Sequence, residues 1–180
     1  MSRPSISELM DHRQELANTI THGIGLLISL VAVPVLLAFS VQSGTWYQIV
    51  GISIFSFSLL AMYASSMLYH AVRTRSLKDI FRQIDHICIY LLIAGTNTPL
   101  VLYFMNHWGG YFYLATLWTL VLLGSVYKIF YIGRSPILSL IFYILMGWMG
   151  MIILFFTYSA MPLITIIGLL AGGLSYSIGV

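Results

Sequence analysis

Six apolar stretches, each long enough to cross a bilayer, divide this chain, and almost all of its charge lies between them. They run over roughly residues 16–40, 47–70, 85–105, 111–132, 137–156 and 161–180. About twenty residues at 1.5 Å each span the ~30 Å of hydrocarbon in a membrane. Only 7% of the residues are charged, against about 25% in a soluble domain. Such a chain cannot cover a water-facing surface, so lipid must cover it. The expected fold is all-α: a polytopic transmembrane helical bundle with six spans. The formal charge of +3 is small and its carriers are scattered, which argues against nucleic acid as a partner.

The basic residues orient the spans. Arg3 and Arg13 precede the first, and Arg73, Arg75, Lys78 and Arg82 fall between the second and third. Lys128 and Arg134 flank the turn between the fourth and fifth. The alternate loops (42–45, 106–110 and about 157–160) contain no Lys or Arg. With six spans all eight cations share one side, and the positive-inside rule makes that side cytoplasmic. The expected location is the cell membrane, multi-pass, with a cytoplasmic N-terminus.

Residues 1–14 form a polar cytoplasmic segment, and residues 15–180 the membrane domain. Ser5 and Glu8 fit a capping box opening a short helix on the membrane surface. Glu8, Asp11 and Glu15 offset the early arginines, so the first span is expected to be retained rather than cleaved as a signal peptide. Residues 71–84 place Leu77, Ile80, Phe81 and Ile84 on one helical face, which suggests a second interfacial helix. Trp46, Tyr47, Trp108, Tyr111 and Tyr113 suit an aromatic belt at the outer ends. Cys88, the lone cysteine, reads as a buried packing residue.

Ionisable groups inside spans are costly, about 2.5–3.5 kcal/mol each at the bilayer centre and less near the ends. Here Glu15, His22, His70, Asp85 and His86, with Asn18 and Ser66 beside them, all fall at the cytoplasmic ends of spans one to three. Glu15, Asn18 and His22 share a helix face at i, i+3 and i+7, and Ser66 and His70 share another at i, i+4. A histidine and a carboxylate at one depth could bind Zn²⁺, with the acid ligating or orienting a water. Ordinary roles compete. Glu15 and Asn18 suit a helix's first turn, and His22 could make an interhelical hydrogen bond. His86 points about 100° away from Asp85, toward another neighbour. Pro99, after Gly95-Thr96-Asn97-Thr98, should kink span three, with or without a functional cavity.

Glu15-x2-Asn18-x3-His22, Ser66-x3-His70 and the run from Asp85 to Pro99 ending Ala94-Gly95-Thr96-Asn97-Thr98-Pro99 together resemble the hemolysin III family. That family belongs with the adiponectin and progestin receptors in a superfamily of seven-span proteins. The resemblance runs from about residue 15 to the C-terminus, and its last helix is not found here: the chain closes on Ser175-Tyr176-Ser177-Ile178-Gly179-Val180. It implies Zn²⁺ near the cytoplasmic face, with His70 as ligand, Asp85 orienting the metal's water and Ser66 close by. The other two ligands belong to a His-x3-His motif of the seventh span, so low zinc occupancy is expected. Asn97 stands where the family often has Tyr. Three functions stay open: a zinc-dependent lipid amide hydrolase resembling alkaline ceramidases, a pore-forming haemolytic protein, and a receptor or sensor of membrane lipid composition. All three make membrane lipids the expected partners.

Overall fold

The computed structural model describes residues 6–131 and 136–179. Among them every regular element is a helix: α1 (Ile6–Ser43), α2 (Trp46–Ala71), α3 (Arg75–Phe104), α4 (Trp108–Tyr131), α5 (Pro136–Trp148), α6 (Gly150–Thr157) and α7 (Leu163–Gly179). Five helical stretches are long and apolar enough to cross a membrane, with α5 and α6 together forming one of them, and α7 is a shorter apolar helix. The protein is a multi-pass helical membrane bundle.

Two boundaries differ from the sequence reading. Where a separate surface helix was expected before the first span, α1 runs unbroken from Ile6 to Ser43; Ser5 and its proposed cap lie outside the described residues. Of the interfacial helix expected at 71–84, residues 75–84 are instead the start of α3 and Ala71 is the end of α2. Neither junction, near residues 14–16 and 84–85, has a Pro or Gly, so the amphipathic turns propagate into the span. Only Val72, Arg73 and Thr74 separate α2 from α3. The fifth span is interrupted at Met149, whose N–H is shared between the carbonyls of Leu145 (3.1 Å) and Met146 (3.2 Å).

α3 is the hub. It packs on α2, α4, α5 and α6, while α1 rests on α2 and α7 on α5. Hydrocarbon gives no hydrophobic drive between helices, so close backbone approach through small side chains holds them. A Cβ on Gly95 would lie 2.0 Å from Ser58 Oγ, and one on Gly51 would lie 2.7 Å from Pro99 Cα. These glycines bring α2 and α3 together. Gly25 does the same for α1 against the Tyr63 ring, and Gly124 for α4 against Tyr90. The apolar core, around Tyr90, Ala94, Val101, Leu117, Met146 and Ile153, lies on the other side of α3.

The segment before Pro99 is braced rather than broken. Thr96 Oγ1, Asn97 Nδ2 and Thr98 Oγ1 donate to the carbonyls of Leu92, Ile93 and Ala94 at 2.8, 2.8 and 2.7 Å. Asn97 Oδ1 accepts from the Tyr113 hydroxyl at 2.9 Å, and Thr98 Oγ1 accepts from Trp118 Nε1 at 3.2 Å. Tyr113 is therefore a buried α4 anchor and not part of the aromatic belt, whereas Trp46 and Trp108 do face outward. α3 passes Pro99 as one helix, and the motif serves packing.

Gly95→Ala should lower stability by about 1–2 kcal/mol, because overpacking outweighs the ~1 kcal/mol gain in helix propensity. Adding Ser58→Gly should recover part of the loss. Gly168, with nothing within 4 Å of its would-be Cβ, should tolerate Ala. Denaturation in mild detergent measures all three, and a fully stable Gly95→Ala protein would contradict the close α2–α3 contact.

Candidate functional site

The polar residues of the first three spans converge at the end of the bundle that carries the described cations. Glu15 stands two turns before His22 on α1, Ser66 and His70 share one face of α2, and α3 contributes Lys78 and Asp85. Seven residues separate Lys78 from Asp85, two helical turns, so both face α2.

Glu15 ties the three helices together. Its Oε2 lies 2.8 Å from His70 Nδ1, and its Oε1 accepts a hydrogen bond from Lys78 Nζ at 2.7 Å. Tyr69 lies beneath the ammonium, its ring centre 5.1 Å from Nζ. A carboxylate fixing one imidazole nitrogen orients the ring and leaves Nε2 as the nitrogen open to a metal or substrate. The His22 and His70 rings are nearly parallel, 5.8 Å apart, and His22 also faces Tyr63 at 6.2 Å. Glu15, His70, Lys78 and Arg73 line an open cleft of about 580 Å³.

Asp85 and Ser66 lie behind this cleft, both buried. The Ser66 hydroxyl lies near the Asp85 carboxyl, and His70 and His22 act on it electrostatically. Asp85 Oδ1 is buried with no hydrogen-bond partner. An unpaired buried acceptor costs about 1–3 kcal/mol or more, so this atom is poised for a donor or a cation.

The sequence reading placed Glu15, His22, His70, Ser66 and Asp85 at one depth, and the structure brings all five into one neighbourhood. Asn18 is exposed on α1 and takes no part beyond a backbone carbonyl that accepts from Thr21. His86 faces away, toward Lys128 and Arg82. Lys78 was missed as a site residue: it read as one of the cations that orient the spans, and the continuity of α3 brings it onto Glu15.

A metal finds half a site here. One carboxylate-oriented imidazole and one orphaned buried carboxylate oxygen suit Zn²⁺. Yet among the described residues no three His, Cys, Asp or Glu side chains converge to hold an ion, whereas a catalytic zinc takes about three protein ligands. The donor set is incomplete.

Residues 10–180 match the family described as Haemolysin-III related. The chain belongs to the hemolysin III family. It is 40% identical over 167 residues to a Hemolysin-3 homolog of Bacillus subtilis (strain 168), an overlap covering 93% of this chain and 78% of that protein. A Hemolysin-3 of Bacillus cereus is 36% identical over 167 residues, covering 93% of this chain and 76% of its own length. No solved structure matches the chain. For this hemolysin III protein Glu15, His22, Ser66, His70 and Asp85, drawn from the three motifs, thus share one neighbourhood on α1, α2 and α3.

Because Glu15 and Lys78 are each about a quarter to a third exposed, their pairing should couple by only ~0.2–1 kcal/mol. A double-mutant cycle with Glu15→Gln and Lys78→Met measures it. A coupling of zero would show that α1 and α3 do not meet through these side chains.

Proposed function

We propose that this hemolysin III protein is a zinc-dependent hydrolase of a lipid amide, of ceramidase type, working at the cytoplasmic side of the cell membrane. The observation that carries this reading is the orphaned Asp85 Oδ1 beside Ser66 and His70. The positive-inside rule puts the basic end of the bundle on the cytoplasmic side, so the cleft opens at the inner headgroup level.

His70, held by Glu15, would be the metal ligand among the described residues. When bound, Zn²⁺ supplies Lewis-acid polarisation of a carbonyl and acidifies a water toward neutral pH. Asp85, buried beside it, would be the general base, taking up a proton at its carboxylate. Ser66 fixes the carboxyl's orientation. Glu15 keeps the His70 ring in register through Nδ1.

With fewer than three donors gathered among the described residues, zinc would be held weakly. Purified protein should contain well under one equivalent of zinc, and His70→Ala should lower that further. Hydrolysis of a ceramide-like amide in mixed micelles should rise as Zn²⁺ is added. It should vanish on chelation, and fall by about 10²-fold or more in Asp85→Ala. Near-stoichiometric zinc in purified protein would overturn the reading of weak zinc binding. Amide hydrolysis unaffected by Asp85→Ala would overturn the catalytic one.

The names of the two Bacillus relatives favour a second reading, a haemolytic pore. Dye release from liposomes that is insensitive to chelation would support it in place of the hydrolase. A third, a lipid-composition sensor, is what remains if neither activity is found and deletion alters membrane lipids.

A further inference from the structure

A second polar cluster lies on the adjacent face of α3, about 100° round from Asp85, where α4 and α5 meet it. Lys128, near the end of α4, is 4% exposed. Its ammonium donates to Ser139 Oγ at 2.7 Å and lies 5.2 Å from the centre of the Tyr143 ring. Tyr143 in turn donates from its hydroxyl to the His86 carbonyl at 3.0 Å, which fixes α5 against α3. His86 Nδ1 is buried with no partner. Arg82, one turn before His86 on the same helix, acts electrostatically on both His86 and Lys128.

Charge accounting makes this cluster unusual. A buried cation in a membrane protein is normally paired with an acid. The whole chain has five acidic residues: Glu8, Asp11, Glu15, Asp79 and Asp85. The first three lie on α1, whose main packing is against α2. Glu15 is occupied by His70 and Lys78, and Asp85 sits with Ser66. Asp79 is exposed. Among the described residues neither Lys128 nor Arg82 makes an ion pair, since the salt bridges there all belong to Glu15. Residues 132–135 contain Arg134 and no acid. Among the described residues no acid pairs with Lys128, so a counter-charge from outside the protein would fit there.

We propose that Arg82, His86 and Lys128 form a binding site for a phosphate group, held by two cations and an imidazole where α3, α4 and α5 meet at the basic end of the bundle. Charge-assisted hydrogen bonds from an ammonium and a guanidinium suit a phosphate oxygen set. Anionic lipid headgroups and free phosphate both carry that chemistry. Arg82 and His86 are only partly buried, so the group enters past them to reach Lys128. The site is separate from the Asp85 centre, and its occupant serves as a structural counter-ion rather than as substrate.

The test uses the full chain in phosphatidylcholine nanodiscs. One arm adds phosphatidylglycerol to the bilayer, and the other adds inorganic phosphate to the buffer. Thermal unfolding and native mass spectrometry of retained lipid are the readouts. Phosphatidylglycerol should raise the unfolding temperature and be retained, about ten- to hundredfold more weakly in Lys128→Met. Arg82→Gln, at a partly exposed position, should show the same direction of loss and serves if Lys128→Met fails to fold. Stabilisation by inorganic phosphate alone, lost in the same variants, would support the site and identify free phosphate as its occupant. No stabilisation by either, or stabilisation undiminished in both variants, would overturn the proposal.

Discussion

Hydrocarbon has no hydrogen bonds to give, so a polar atom inside a bilayer must find its partner within the protein. Nearly every local feature of this fold answers that demand. The serine and threonine hydroxyls of the spans turn back on carbonyls three or four residues earlier, as Ser29, Ser58, Thr98 and Thr157 do. Asn97 satisfies its amide on its own helix and its carbonyl on Tyr113 of the next. Charges that cannot be handled in this way are gathered at one end. There Glu15 satisfies two partners at once.

The division of labour on α3 follows from the same constraint. One face of the helix, toward α1 and α2, carries Lys78 and Asp85 and meets the histidines. The adjacent face carries Arg82 and His86 and meets Lys128 and Tyr143. The 100° step between Asp85 and His86 places adjacent residues in two chemically distinct neighbourhoods. Further along, the Gly95–Pro99 segment locks α3 to α2 through Gly51 and Ser58, and to α4 through Tyr113 and Trp118. Both polar clusters are thus mounted on one braced axis.

Much of this was legible in the sequence. Hydropathy gave the spans, because twenty apolar residues have few other fates. The depth of Glu15, His22, His70 and Asp85 followed from counting basic loops. What sequence could not supply was continuity and partnership. The amphipathic turns before Asp85 read equally well as a separate surface helix, and only their fusion with the span turned Lys78 toward Glu15. Tyr113 sits among exposed aromatics in the sequence, so nothing local marked it as a core hydrogen-bond donor. Asn97, noted as a departure from the family's usual tyrosine, has its reason in Tyr113 and in the close approach of Gly150, where a Cβ would lie 3.3 Å from Asn97 Oδ1. Lys128 read as a topology signal, since burial of a helix-end lysine depends on which neighbours fold over it.

The glycine and serine seams between α1, α2 and α3 invert the usual arrangement of a folded protein. On α1 and α2 many large apolar side chains, such as Leu27, Val31 and Phe57, point outward, while glycines and serines make the closest contacts. Shape complementarity between backbones, not the oiliness of an interior, fixes the architecture. The outer coat is therefore a solvent-matching layer that can be rewritten on its own. Exchanging it for charged residues while leaving the seams untouched would convert the same bundle into a particle suited to water.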